Sequence, residues 1–90
     1  MPRYFVEHSI PNAGQLTPPE LESITQQCLD VLHPQMQWVH STITEDKIYC
    51  LYVAHDERMV VEHARRCGLP IQGISTVSAI IDPSLAAEGV

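Results

Sequence analysis

The chain holds five histidines and three cysteines. Neutral imidazole and thiolate sulfur are ordinary ligands of nickel, zinc and copper. Imidazole also exchanges protons near neutral pH. His8, His40 and Cys50 each stand in a different β-rich stretch, RYFVEHSI, QWVHSTIT and KIYCLYVA. If the three stretches are strands of one sheet and the side chains share a face, they form a His/His/Cys ligand set. The triplet Val-Glu-His occurs twice, at 6–8 and 61–63. In a strand, Glu7 and His8 point to opposite sides. In a helix, Glu62 and His63 lie about 100° apart. Neither triplet therefore chelates one ion by itself, and Glu62 is spaced to pair with Arg65 or Arg66. His63 and Cys67 share a helix face at i,i+4, where they could hold two ligands or flank the packing stripe Val60, Ala64, Cys67. Cys28 and Cys50 lie among apolar neighbours and read as inert core thiols, at no helix N-terminus and in no basic pocket that would activate them. There is no G-x-S-x-G, P-loop, H-E-x-x-H or dinucleotide glycine pattern.

The elements that must position these residues follow from pattern and punctuation. Arg3 to Ile10 reads as a strand closed at Pro11. Thr17-Pro18-Pro19-Glu20 is a capping box with proline at the first helical position. Leu21, Ile24, Cys28 and Val31 or Leu32 then recur at helical spacing, and His33-Pro34 ends the helix. Gln37–Thr44 and Lys47–Ala54 are two strands with only Glu45-Asp46 between them, a tight hairpin. Asp56 caps a second helix, Glu57–Cys67, stopped by Gly68 and Pro70. A last strand runs from Gly73 to Ile81. The order βαββαβ with right-handed crossovers gives an α+β, ferredoxin-like domain over residues 1–83. Its four-stranded antiparallel sheet has order 4-1-3-2 and two helices on one face, with a flexible tail over residues 84–90.

Strand parity sorts the side chains. Phe5, Val39, Ile43, Leu51, Val53, Val77 and Ile81 form the more uniformly apolar sets and are expected to face the helices. His8, Trp38, His40, Cys50, Tyr52, Thr76 and Ser78 are then expected on the uncovered face. Trp38, Tyr52 and Tyr4 would line a cavity there. A strict two-residue hairpin would instead place His40 beside Leu51, and a bulge would restore the grouping. A bare apolar sheet face on so small a domain predicts a homodimer closed through that face.

The net charge of -6 excludes a nucleic-acid backbone as the partner. No apolar run reaches the length of a membrane span, and the N-terminus shows no signal-peptide stretch. Three cysteines without a CxxC spacing fit reduced thiols and a cytoplasmic protein.

The strings YCLYVAHD and EHARRCGLP, with MPRYFVEH, LTPPEL and WVHS before them, resemble a family of small, largely uncharacterised bacterial proteins. That family has a ferredoxin-like fold and is associated with nickel-binding proteins. The resemblance runs to Asp82-Pro83 and implies a homodimeric α/β barrel with the two sheets face to face. Glu7, Cys50, Tyr52, Glu62 and His63 match its pattern. His8 stands where many members have Arg, and Val53 and Thr76 replace usual glutamates. The expected function is binding of nickel or another divalent transition metal, or of a small ligand, at the inter-sheet face. His8, His40 and Cys50 come first as ligands, then Glu7 and His63. Two alternatives stand beside it. One is a cofactor-free isomerase or monooxygenase of the dimeric α/β-barrel kind, with His8 or His40 as proton shuttle. The other is a structural or regulatory dimer without a ligand.

Overall fold

A computed structural model describes residues 1–87. Strands β1 (Arg3–Ser9), β2 (Gln37–Ile43), β3 (Lys47–Val53) and β4 (Ile71–Thr76) form one antiparallel sheet in the order β2-β3-β1-β4. Helices α1 (Pro18–Asp30) and α2 (Glu57–Cys67) connect them, and a short helix α3 (Pro83–Ala87) follows. This is the ferredoxin-like α+β topology expected from the sequence. The last strand starts and ends earlier than its pattern suggested, because Gly68 and Pro70 release the chain directly into pairing at Ile71. Helix α3 runs from Pro83 into the segment expected to be a flexible tail, 84–90, and residues 88–90 of that expectation lie outside the described residues.

Local chemistry sets the ends of the helices. The Thr17 hydroxyl accepts from the Glu20 amide, and the Glu20 carboxylate accepts from the Thr17 amide, a complete capping box. At α2 the Asp56 carboxylate accepts from the Met59 amide. Gly68 closes the helix at φ 75°, in the left-handed region that an L side chain enters only at a cost.

The face assignment corrects the expectation for β1 and β3, whereas Ile43 of β2 lies on the helix side as expected. Tyr4, Val6, His8, Ile48, Cys50, Tyr52 and Ala54 are buried, and all of them but His8 pack in one core with Val60 of α2; Leu51, of the opposite parity, is 9% exposed but lies outside that core. The opposite set, Phe5, Glu7, Tyr49, Leu51 and Val53, therefore lies on the uncovered face. The physical reason is that both faces are apolar, so uniform apolarity does not mark the covered one. His8 is tolerated under the helices because its Nδ1–H donates to the Pro70 carbonyl at 3.0 Å.

The hairpin supplies the second correction. Glu45-Asp46 is a strict two-residue loop that sets Ile43 opposite Ile48, and the Thr44 amide donates to the Lys47 carbonyl. The ladder then places Ser41 opposite Cys50 and His40 opposite Leu51. A bulge at Val39 restores Trp38 to the helix side, opposite Tyr52. His40 is on the open face and His8 beneath the helices, so the two histidines do not meet.

Candidate metal centre

Helix α1 has one buried residue, Cys28, and it faces α2. On α2 the buried residues are Val60, His63, Ala64 and Cys67. Val60, Ala64 and Cys67 continue a stripe that packs on the sheet and on α1, and His63 lies one turn before Cys67. The crossing brings Cys28, His63 and Cys67 together. One ligand atom from each lies within 4.8 Å of the others, and all three residues are buried. Cys67 Sγ is 3.3 Å from His63 Nε2. The His63 ring also meets Tyr52 edge-on, with centroids 5.4 Å apart.

The electrostatics of the cluster are those of a dry site. Burial pushes the Cys67 thiol up to about 12, and the neighbouring Cys28 thiol adds to the rise. Burial lowers the His63 pKa; the Val31 carbonyl opposes this and nearby His8 reinforces it. His63 Nδ1 meets the geometry of a hydrogen bond with no group among the described residues. A neutral ring that accepts from the Cys67 thiol at Nε2 carries its proton on Nδ1. Burial likewise raises Cys50 and Tyr52.

The donor set fits a transition-metal ion. Two sulfurs and an imidazole nitrogen suit nickel, zinc or copper. Donors at about 2.0–2.3 Å around a tetrahedral ion lie roughly 3.3–3.8 Å apart. A cluster already within 4.8 Å therefore closes by side-chain adjustment. The thiol protons must leave, so uptake releases protons and tightens as pH rises.

Of the residues expected from the sequence, His63 is the one found in this cluster. Its partner Cys67 was visible as a helix-face neighbour, but Cys28 was not. No local pattern marks Cys28, because its role depends on where α1 crosses α2. Cys50 is buried on the helix side, where its sulfur accepts from the Ser41 hydroxyl at 2.9 Å, and that hydroxyl accepts from the Trp38 indole N–H at 2.9 Å. Trp38 and Tyr52 line a void of about 50 Å³ beneath α1, together with Cys28 and Cys50. Tyr4 packs in the core. None of these three aromatic residues lines an inter-sheet cavity, because the side they occupy is covered by the helices. Glu7 lies on the open face and is held by the Lys47 ammonium at 2.7 Å. His8 lies under the helices outside the cluster, its Nδ1 on the Pro70 carbonyl and its Nε2 without a partner among the described residues.

Fold and cluster together define a small ferredoxin-like protein with a buried thiol–imidazole donor set. The family described as nickel-responsive proteins like SCO4226 matches residues 4–77, and the chain belongs to that family. A solved structure, the crystal structure of SCO4226 from Streptomyces coelicolor A3(2), is similar with a TM-score of 0.75. The two share 18% identity, over 88% of this chain and 99% of that one. That likeness establishes the shared fold. No curated protein matches the chain.

Proposed function

We propose that this protein binds a divalent transition-metal ion of the nickel class between α1 and α2, through Cys28, His63 and Cys67, and responds to metal from there. The observation that carries the reading is the gathering of three buried donor atoms from two helices within 4.8 Å. Membership of a nickel-responsive family supports it. The site replaces the inter-sheet set of His8, His40 and Cys50, whose members lie on different sides of the sheet. Titration of untagged protein with Ni²⁺ by calorimetry tests it. Cys28→Ser and Cys67→Ser should each weaken uptake by roughly two decades, while His40→Ala leaves it unchanged. Uptake unaffected by both serine variants contradicts the site.

A homodimer closed through the open sheet face is the second part of the reading. Phe5 and Val39 are 44% and 41% exposed there, and Phe5 stacks on Tyr49. A second copy of the chain would cover this patch. Three free thiols fit a reducing, cytoplasmic setting. The histidine-shuttle enzyme reading draws less support, because His8 is buried away from the face on which His40 lies.

A further inference from the structure

On the outer side of His63 lies a cleft of about 420 Å³. Val31 and His33, past the end of α1, form one wall, and Arg58, Met59, His63 and Arg66 of α2 form another. The size is that of a small-molecule site. Asp56 and Glu62 also border the cleft, and both carboxylates are already engaged. Asp56 caps α2 at the Met59 amide. Glu62 accepts two hydrogen bonds from Arg65 and one from Arg66, which hold its carboxyl at about 2. Arg65 is not part of the wall and compensates Glu62 from outside it. The cleft is thus left with the guanidinium of Arg58, which makes no ion pair among the described residues, and the spare donors of Arg66.

The buried end of the cleft carries the second observation. His63 is 2% exposed, and its Nδ1 has no hydrogen-bond partner among the described residues. With Nε2 turned to Cys67, Nδ1 is a donor lacking an acceptor, a costly arrangement in a buried site. The free Arg58 fork, the spare donors of Arg66, the His63 N–H and the apolar walls of Val31 and Met59 describe a complement. It is a planar, singly charged acceptor on a short apolar body.

We propose that this cleft binds a small organic monocarboxylate, paired with Arg58 and Arg66 and accepting the His63 Nδ1–H. A histidine that ligates a metal through one nitrogen usually donates its other N–H to a carboxylate or carbonyl, which orients the ring and raises its basicity. Resting on the metal reading above, the carboxylate would be that outer partner. Its occupancy would then be linked reciprocally to metal at Nε2.

The direct test uses metal-free protein and follows the His63 ring nitrogens by NMR during titration with benzoate, acetate or inorganic phosphate. Benzoate should shift the Nδ1 resonance saturably. Arg58→Ala should weaken that binding by roughly tenfold, while Arg3→Ala, outside the cleft, leaves it unchanged. No saturable shift, equal binding by the Arg58 variant, or phosphate binding as tightly as benzoate overturns the site. A second arm measures Ni²⁺ affinity with and without saturating benzoate. Tighter Ni²⁺ binding, matched by an equal gain for benzoate on the loaded protein, supports the linkage. Ni²⁺ binding that benzoate leaves unchanged overturns it. Failure of the cluster to take up Ni²⁺ overturns the metal reading and the linkage, while the first arm still decides the carboxylate site.

Discussion

His8 and His63 are the two histidines that the fold removes from water, and each keeps one ring nitrogen without a partner among the described residues. Burial dominates the His8 pKa and lowers it below its ordinary value near 6.5, with the Pro70 hydrogen bond opposing the shift. The sign of the pH effect follows. Above 6.5 neither folded nor unfolded chain binds the proton. As pH falls below 6.5, the unfolded chain takes it up first, so stability drops until the folded pKa is reached. The slope is at most about 1.4 kcal/mol per pH unit for one such group. Urea midpoints should therefore fall as the pH drops below about 6.5, and less steeply in His8→Asn, which keeps a donor for Pro70. A steeper or unchanged slope in that variant contradicts the assignment. At this scale the sequence reveals which residue types can act, but not which meet. His63 with Cys67 was readable from i,i+4 spacing, whereas Cys28 required the helix crossing.

Of the two long helices, α1 is held more lightly than α2. Cys28 is its one buried residue, Leu29 is 47% exposed, and a void of about 50 Å³ separates part of it from the sheet. Its definition comes from its own N-terminus, so Thr17→Ala should cost about 1 kcal/mol in chemical denaturation. At α2, Gly68→Ala should also cost about 1 kcal/mol, wholly from the backbone, because a Cβ there meets nothing within 4 Å. An ion shared by Cys28, His63 and Cys67 would tie α1 to α2. Amide exchange in α1 should then slow on Ni²⁺ addition, while exchange in β1 and β3 stays the same. Uniform slowing across all elements would contradict a local tie. Caps, hairpin length and element order were legible in the sequence because each is local. The covered face was not. Tyr4, Val6 and Cys50 compete with Phe5, Leu51 and Val53 on near-equal apolar terms, and a single bulge at Val39 reverses β2.

As a whole the molecule is a one-sided sheet, with helices on one face and an apolar patch on the other. Phe5→Lys or Val39→Lys introduces a charge at the proposed dimer face without touching the core. Analytical ultracentrifugation should find the native chain dimeric and the variants monomeric. A native monomer would show that the patch serves another purpose. The claim on which the functional account rests is thiolate ligation of a metal between the two helices. Electronic absorption during titration with Co²⁺ or Ni²⁺ reads it most directly. The account predicts thiolate-to-metal charge-transfer bands that saturate at one ion per chain, release protons and disappear in Cys28→Ser and Cys67→Ser. Metal uptake without such bands, or bands that survive both substitutions, would contradict it.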